Sequence, residues 1–475
     1  MIIGRNNEIR ELTNAYNSEY SEFVAVYGRR RVGKTFLVRE TFNYTFTFEH
    51  SGVANGNNRT QLRAFRDSLS TAGMGKVAIP SNWMDAFALL RQFIKKRTEE
   101  KKVVFIDEIP WMDTPRSDFV SALEYFWNAF ASARKDVLLI ICGSATSWII
   151  NKVLKNHGGL HNRVTYRLPL KPFTLHECEE YMKSRKIRLS RYDLLELYMV
   201  FGGVPFYWSL LSKGESVSQN IDRLVFSESG KLHNEYYELY DSLFKNSELY
   251  ISIVTILGSC SGMTREEIVK KSDLDGNGKT TRVLDDLQAC GFIKKTPTYG
   301  LKNQAVYKLI DNFTLFYQKF VTETETSDEQ FWSHCYQSTL HNAWVGLAFE
   351  RVCFQHIPQI KMALGISGVV TNVYSWRIGP SFEGAKDGAQ IDMLIERADN
   401  MVNICEMKFS KKEYIVTQDD SSSMTNKAER FSQAIGHGKS ISMTMITVRG
   451  IAKTGYWSDI HNVITADDLF KNTTR

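Results

Sequence analysis

The sequence predicts an α/β protein that begins with a parallel sheet covered by helices on both faces. One sequence pattern and one geometric rule support this fold class. Short apolar runs typical of buried strands alternate with segments whose apolar residues recur at helical spacing, and parallel strands need such a crossover helix between them. At 475 residues the chain exceeds the size of one hydrophobic core, so roughly two to four domains are expected.

The first part of the chain, residues 1–175, shows this alternation most clearly. Residues 6–20 repeat apolar side chains at helical spacing, and the strands that follow are short and almost wholly apolar, as in a sheet buried on both faces. In order, the predicted elements are the helix 6–20, the strand Phe23–Tyr27, the helix Phe36–Thr41, the strand Tyr44–Phe48, the helix Trp83–Lys96, the strand Val103–Ile106, the helix Ser117–Ala133 and the strand Val137–Ile141.

Three further regions follow the first. Residues 176–245 are helical and aromatic-rich, and the predicted elements of residues 246–321 are three helices and two short strands joined by a turn near Gly300. The acidic stretch Thr322–Gln330 contains no apolar residue and is predicted to be a linker. Residues 331–475 begin with a helical stretch to about His356, and continue with a strand-rich region Val369–Val402, a strand Asn403–Phe409 and a helical segment Lys427–Ala434.

Hydropathy, cysteine content and net charge limit the class of protein and its expected cellular location. The N-terminus turns polar by residue 4, which excludes a secretory signal, and no apolar run approaches the roughly 20 residues that cross a bilayer. The 7 cysteines are scattered without a C-x-x-C pair, which argues against zinc and disulfides and fits a reducing cytoplasm. A net charge of +6 permits a nucleic-acid partner without requiring one.

Residues 28–35 read GRRRVGKT and lie between a predicted strand and a predicted helix. Gly28 and Gly33 allow the backbone to wrap around phosphates with its N–H groups pointing inward, and the helix N-terminus favours the same anion. Lys34 is expected to neutralise the β- and γ-phosphates and Thr35 to ligate Mg²⁺. The intervening loop residues Arg29, Arg30, Arg31 and Val32 complete this predicted ATP site.

A partner motif follows at the end of a buried strand. Asp107 ends the run Val103–Ile106 and is expected beside the metal, while Glu108 is expected to polarise the attacking water. This pair of acids favours hydrolysis over binding alone. Ser144, at the tip of the next strand, is a candidate sensor of the γ-phosphate, although a serine that caps the following helix is an equally good interpretation.

With these motifs the chain resembles the AAA+-like ATPases of the STAND and archaeal-type group over roughly residues 1–245. The segment Ile2–Glu8, with Gly4 and Arg5, looks like the hhGRxxE box that lies against adenine in that family, and Phe201–Pro205 resembles the GGxP signature of its helical lid. The resemblance implies that Arg163 acts as an arginine finger toward a neighbouring subunit of a homo-oligomer, against the alternative of an ordinary surface arginine.

Residues 263–309 have the pattern of a winged helix. Glu266–Lys271 and Asn277–Cys290 are its predicted helices, and Phe292–Lys295 and Val306–Leu309 form the wing. The second helix begins with small and basic residues suited to the major groove. Asp285 and Asp286 on the same helix would repel phosphates, so DNA contact and plain packing both remain open.

Acidic residues in the last third carry a second chemical signal. Asp392 lies in one predicted strand, and Glu406 and Lys408 lie two apart on the next, so they share a face. A hairpin would bring Asp392 beside Glu406, giving a site for Mg²⁺ to which Glu350 of a preceding helix could add a carboxylate. This order resembles the PD-(D/E)xK nuclease fold over roughly residues 331–475. Surface hairpin acids, or a nuclease fold kept only for binding, are the alternatives.

The sequence therefore predicts a P-loop ATPase core with a helical lid, then a winged helix, then a restriction-endonuclease-like α/β domain. The predicted function is ATP hydrolysis coupled to Mg²⁺-dependent cleavage of DNA, with RNA as a second possible substrate. Family resemblance suggests a role in defence or mobile-element maintenance. The alternative function is a regulatory ATPase switch whose C-terminal domain binds nucleic acid or protein without cutting it.

Overall fold

The computed structural model describes the chain except for residues 1, 156–159, 161, 273–277, 302–303, 325–326, 379–388, 436–437, 454 and 474–475. The chain forms two compact units. Unit 1 comprises Met1–Pro172 and Leu243–Lys245, and unit 2 comprises Phe173–Ser242 and Asn246–Arg475. The predicted lid, winged-helix and C-terminal regions thus lie almost wholly in unit 2, and the finer boundaries between them stay predictions.

Unit 1 is built on five parallel strands in the order β2-β3-β4-β1-β5. The carboxyl ends of parallel strands meet at one edge, so the loops after β1, β3 and β4 are neighbours. The strands are β1 Glu22–Tyr27, β2 Phe48–Ser51, β3 Lys102–Asp107, β4 Val137–Gly143 and β5 Tyr166–Pro169, and the helices are α1 Asn6–Asn17, α2 Lys34–Thr41, α3 Asn58–Leu69, α4 Trp83–Lys95, α5 Phe119–Phe126 and α6 Thr146–Ile149.

Both faces of this sheet are buried, as the apolar strands predict. In β1, Phe23 and Ala25 pack in a core cluster with residues of α3, α4 and α5. Val24 and Val26 point to the other face and pack in a second cluster with residues of α1 and α2. Alternation along each strand therefore divides the core of unit 1 into two layers, which confirms the predicted parallel sheet with helices on both sides.

The predicted strand Tyr44–Phe48 is wrong except for its last residue. Asn43 and Tyr44 have φ angles of 49° and 56°, so the chain makes a left-handed turn after α2 that an extended strand does not allow. The strand β2 starts at Phe48. Helix α3 and strand β5 were not predicted, because α3 is mostly polar and β5 has only four residues, Tyr166–Pro169.

The first half of unit 2 is helical. Helix starts are well defined: the capping boxes Thr174–Glu177, Ser190–Asp193 and Ser216–Gln219 each satisfy N-terminal backbone donors. The helices are α7 Leu175–Ser184, α8 Arg191–Phe201, α9 Pro205–Ser209, α10 Val217–Ile221, α11 Glu235–Leu243, α12 Ser247–Gly258, α13 Arg265–Ser272, α14 Gly278–Ala289 and α15 Asn312–Tyr317. An antiparallel hairpin of β6 Ile293–Pro297 and β7 Ala305–Leu309 follows α14.

The elements predicted for residues 263–309 are present at nearly the predicted positions, although Asn277, the predicted start of the second helix, lies outside the described residues. The predicted linker is followed by α16, and its residues 325–326 also lie outside the described part of the chain. Whether α12–α14 and the hairpin work as a winged helix stays a prediction.

The C-terminal part of unit 2 is a second five-stranded sheet in the order β12-β11-β10-β9-β8. Strands β8, β9 and β10 are antiparallel neighbours, whereas β10, β11 and β12 are parallel. The elements are α16 Phe331–Cys335, α17 Thr339–Gln355, α18 Ile357–Ala363, β8 Thr371–Ile378, β9 Ala389–Arg397, β10 Met401–Lys408, α19 Gln418–Ala434, β11 Ser440–Thr447, β12 Asn462–Thr465 and α20 Ala466–Leu469.

Part of this sheet was predicted. The strands around Asp392 and Glu406 and the helical segment within α19 are where the sequence places them, while 379–388 of the predicted strand-rich region fall outside the described residues. Helix α18 and strands β11 and β12 were not predicted. No helix among the described residues is both long and apolar enough to cross a membrane.

Candidate functional site

The glycine-rich loop between β1 and α2 has the backbone that its sequence predicts. Gly28 has a φ of 145°, and a Cβ atom there would lie 2.2 Å from the carbonyl oxygen of Leu170, so a larger residue does not fit. Gly33 has a φ of 89° and forms the N-cap of α2. Both positions require glycine, and the first turn of α2 directs its N–H groups toward the loop.

Lys34 is buried at the start of α2, with 6 % of its surface exposed. Its Nζ donates to the carbonyl oxygens of Gly28 at 2.9 Å and Arg29 at 2.8 Å. The ammonium is therefore held inside the loop that would surround a phosphate. A phosphate oxygen is a stronger, charged acceptor than these carbonyl groups, so the lysine is placed to exchange its loop contacts for a bound anion.

Thr35 and Asp107 meet although they are distant in sequence. The Thr35 Oγ1 donates to Asp107 Oδ2 at 2.7 Å, and Asp107 Oδ1 accepts from the backbone N–H of Glu108 at 2.8 Å. A hydroxyl and a carboxylate next to a phosphate loop are oxygen ligands of the kind that Mg²⁺ takes. The donor set of this site thus fits a magnesium ion bound with a triphosphate.

Glu108 lies at the end of β3 with a φ of 45°, in the left-handed region. Its Oε2 accepts from the Ser144 hydroxyl at 3.0 Å, and the backbone N–H of Ser144 lies at 3.4 Å. Ser144 follows β4, the neighbour of β3 in the sheet. The structure therefore brings the two residues together and assigns Ser144 a contact with Glu108, which the sequence did not predict.

The remaining residues predicted for the ATP site lie on the same unit. Arg5 is 7 % exposed, and its Nη2 lies 3.4 Å from the carbonyl oxygen of Val32 in the phosphate loop. Gly4 precedes it with a φ of 63°. Arg29 and Val32 are buried, Arg30 and Arg31 are half-buried, and Arg163 is exposed.

In unit 2, the acids predicted for a nuclease site lie on neighbouring strands. Strands β9 and β10 pair antiparallel, and the last paired position is Met393 with Cys405. Asp392 and Glu406 are the next residues on their strands. Lys408 Nζ lies 3.5 Å from Glu406 Oε1, which agrees with the prediction that these two side chains share a face.

Asp392 and Glu406 nevertheless have different partners. Glu406 Oε2 accepts from Lys427 of α19 at 2.7 Å, whereas Asp392 Oδ1 accepts from Lys308 of β7 at 3.2 Å and from Gln390 at 2.9 Å. The pairing of β8 with β9 shifts at a bulge between Tyr374 and Trp376. Asp392 and Gln390 still share a face of β9, so the different partners of the two carboxylates come from the separate elements that carry Lys308 and Lys427.

The third acid, Glu350, comes from α17. Burial, together with the negative charges of Asp392 and Glu406, raises the pKa of Glu350 to about 7, and Lys308 and Arg351 oppose this rise. The three carboxyl groups thus interact electrostatically. In the described part of the chain they do not form a group whose ligand atoms all lie within 4.8 Å of one another, so the predicted three-carboxylate arrangement is not assembled here.

Two contacts of this site were missed at the sequence level. Asp420, near the start of α19, lies 3.2 Å from Lys408 Nζ, and the Asp392 partner Lys308 comes from the hairpin β6–β7. Both arise from packing between separate elements, and no local pattern indicates them. Carboxylate oxygens and a Glu350 carboxyl group whose pKa is raised by burial and by neighbouring negative charge fit a divalent cation once the lysines no longer contact the acids.

The helix α14 has one feature that bears on nucleic-acid contact. Lys279, Thr281 and Arg282 lie exposed near its start, whereas Thr280 is buried. Asp286 is buried and accepts from the Tyr250 hydroxyl at 2.8 Å, so it does not face a phosphate. Asp285 remains exposed.

A phosphate loop after β1 and an acid pair after β3, placed at one edge of a parallel sheet, define unit 1 as a P-loop ATPase domain. Residues 2–211 match a family described as an ATPase domain predominantly from Archaea. The first part of the chain therefore carries an archaeal-type ATPase domain.

Similar proteins include an uncharacterized protein of Methanocaldococcus jannaschii, 23% identical over 378 residues, which are 76% of this chain and 78% of that protein. Among solved structures, a Walker-type ATPase of Pyrococcus abyssi has a TM-score of 0.49 and 15% identity, with 66% of this chain and 95% of that chain covered. The ORC2 protein of Aeropyrum pernix has a TM-score of 0.41 and 13% identity, with 70% and 94% covered.

Proposed function

We propose that the protein hydrolyses ATP in a magnesium-dependent reaction at the carboxyl edge of the first sheet. The observation that carries this proposal is the contact of Thr35 with Asp107 at 2.7 Å, directly beside the buried Lys34. The phosphate ligand, the two metal ligands and the catalytic acid thus come from two separate segments, residues 28–35 and 107–108, that the parallel sheet aligns.

In this reaction the loop 28–35 binds the phosphates through its backbone N–H groups, and Lys34 neutralises the β- and γ-oxygens. Thr35 and Asp107 would hold Mg²⁺, which when bound would stabilise the charge that develops on the phosphates. Glu108 accepts a hydrogen bond from the attacking water and orients it, and Ser144 fixes the Glu108 carboxylate through the contact at 3.0 Å. Arg163, exposed on unit 1, would reach the phosphates of a neighbouring subunit.

ATP hydrolysis by the purified full chain is expected to require Mg²⁺, because both Thr35 and Asp107 act through the metal. Phosphate release should fall to background when EDTA is added and return when Mg²⁺ is restored in excess. A turnover that persists in EDTA would contradict the proposed roles of Thr35 and Asp107. The absence of turnover with Mg²⁺ would contradict the proposed hydrolysis itself.

A second function is proposed for the C-terminal region: a metal-dependent nuclease site that acts on DNA or RNA. It is supported by the interaction of Glu350, Asp392 and Glu406 and by the neighbouring Lys408. In this proposal the acids would hold Mg²⁺, which would supply an activated water and stabilise charge on a phosphodiester, and Lys408 would orient that water. The segment α12–β7 acts as a winged helix whose exposed residues on α14 contact the nucleic acid.

Replacing Asp392, Glu406 or Lys408 by alanine is expected to abolish Mg²⁺-dependent cleavage of DNA or RNA and to leave ATP turnover unchanged. The matched control is Asp399→Ala, since Asp399 is an exposed acid of the same hairpin that pairs with Arg397 and lies outside the proposed metal site. Cleavage assays on duplex DNA and single-stranded RNA, with and without ATP, would distinguish the substrates. Cleavage that survives all three substitutions would exclude this metal site.

The alternative is a regulatory ATPase whose C-terminal region binds nucleic acid or protein without cutting it. In the described part of the chain, the ligand atoms of Glu350, Asp392 and Glu406 are not all close enough to hold one ion. This arrangement favours the alternative over a nuclease site that is permanently active. Under it, the protein shifts nucleic acid in a gel, hydrolyses ATP and cuts no substrate at any metal concentration.

A further inference from the structure

The hairpin β6–β7 is attached to the edge of the C-terminal sheet. At its tip the backbone N–H of Tyr299 donates to the carbonyl oxygen of Ser375 in β8 at 3.1 Å. The Tyr299 hydroxyl donates to Glu396 of β9 at 3.1 Å, and Arg377 of β8 pairs with Glu267 of α13 at 3.3 Å. The hairpin and α13 are therefore positioned against the sheet by these polar contacts, together with packing of the Tyr299 ring against Tyr374 and Phe431.

This attachment places Lys308 of β7 in the acid site. The Lys308 ammonium donates to Asp392 Oδ1 at 3.2 Å and lies 4.9 Å from the centre of the Phe354 ring on α17. Its side chain is 14% exposed, and that of Asp392 is 25% exposed. The aromatic face and the partial burial both strengthen the pairing of this cation with Asp392.

Lys308 thus supplies positive charge where a divalent cation would find its ligands. Gln390 Nε2 donates to the same Asp392 oxygen at 2.9 Å, so Oδ1 already accepts two hydrogen bonds. Like charges repel at short range, so a divalent cation on either oxygen of this carboxylate would be opposed by the Lys308 ammonium. An ammonium ion and a divalent cation therefore compete for Asp392.

We propose that Lys308 is a built-in counter-cation of the C-terminal acid site, and that a divalent cation enters only when the hairpin withdraws Lys308 from Asp392. This inference rests on the metal site proposed above and adds its regulation. Along the chain, the hairpin lies between the ATPase part and the C-terminal sheet. A movement of the hairpin that takes Lys308 away from Asp392 would open this carboxylate to a divalent cation.

The direct test is the binding of Mn²⁺ to the nucleotide-free full chain, measured by calorimetry at neutral pH. Lys308→Met keeps the aliphatic stem and removes the charge, so Mn²⁺ affinity should rise by about tenfold or more. Lys308→Arg keeps the charge and should bind Mn²⁺ as the wild type does. The matched control is Lys295→Met, because Lys295 lies on the partner strand of the same hairpin, exposed and over Tyr307.

The double variant Lys308→Met with Asp392→Asn should lose the increase in Mn²⁺ affinity. That loss would show that the additional Mn²⁺ binds at Asp392 and not at the ATP site. A second variant does not touch the acids: Tyr299→Phe removes the hydroxyl contact with Glu396 and should raise Mn²⁺ affinity by a smaller factor. Circular dichroism spectra that match the wild type would show that each variant is folded.

The outcomes separate the two proposals. If the wild type already binds Mn²⁺ tightly through Asp392 and Lys308→Met does not raise the affinity, the proposed role of Lys308 is wrong and the metal site is supported. If neither the wild type nor Lys308→Met binds Mn²⁺ in a way that Asp392→Asn removes, both the counter-cation and the metal site are wrong. A gain in Lys308→Met that Lys295→Met and Lys308→Arg lack supports the proposal.

Discussion

Replacing Lys34 by alanine is expected to lower the affinity for ATP by at least about 100-fold, because the variant loses the charge that neutralises the β- and γ-phosphates in a buried loop. Lys34 is 6 % exposed and is held between the carbonyl oxygens of Gly28 and Arg29. Its charge is therefore largely shielded from solvent and acts at close range on a bound triphosphate. Titration with ATP in a calorimeter, in the presence of Mg²⁺, measures the effect.

The Lys34 result needs a control for general loss of charge. Lys96→Ala removes an exposed lysine at the end of α4 and should leave ATP affinity unchanged. Thermal unfolding without nucleotide shows whether Lys34→Ala is folded. Lys34 also ties two loop carbonyl groups, so its removal should lower the unfolding temperature slightly, while ATP should no longer raise it. ATP affinity equal to that of the wild type would exclude a phosphate-binding role for Lys34.

Replacing Glu108 by glutamine is expected to keep ATP binding and to reduce turnover by about 10²–10⁴-fold, the range that loss of a general base produces. Glutamine has nearly the same shape, and its amide oxygen still accepts from the Ser144 hydroxyl, which lies 3.0 Å from Glu108 Oε2. The variant therefore removes the negative charge of the side chain while keeping its position. Single-turnover hydrolysis and equilibrium binding of ATP, measured on the same preparation, give the two quantities.

The control for this substitution is Glu99→Gln. Glu99 precedes β3, at the opposite end of that strand from Glu108, and pairs with Arg97 at 2.8 Å. The Glu99→Gln variant should hydrolyse ATP at the wild-type rate. Normal turnover by Glu108→Gln would mean that another group orients the water. Loss of ATP binding in Glu108→Gln would instead mean that Glu108 holds the structure of the site.

The ATPase part could be predicted well because its signals are local. The glycines of the phosphate loop, Lys34 and Thr35 lie within eight consecutive residues, 28–35, and their geometry follows from one strand, one turn and one helix. The identity of the partner acid Asp107 also followed from its place at the end of a buried strand. The start of β2 was missed, because nothing in the side chains of residues 43–44 indicates their left-handed backbone.

The C-terminal site could be predicted only in part. Alternation along β10 correctly placed Glu406 beside Lys408, whose Nζ lies 3.5 Å away. Alternation along β9 is consistent with the contact of Asp392 with Gln390, but it did not indicate Lys308, which comes from β7. That contact depends on how the hairpin packs against the sheet, which the sequence of a single strand does not contain.

The sequence by itself determined that this chain has a phosphate loop, a buried strand ending in Asp107 and followed by Glu108, and a strand with Glu406 and Lys408 on one face. Each of these depends on neighbours along the chain, where spacing fixes geometry. Only the tertiary structure decided that Ser144 bonds to Glu108 and that Lys308 bonds to Asp392, which is 84 positions away in the sequence. Such contacts depend on how whole elements pack, and packing is set by the sum of many weak contacts that no short sequence pattern contains.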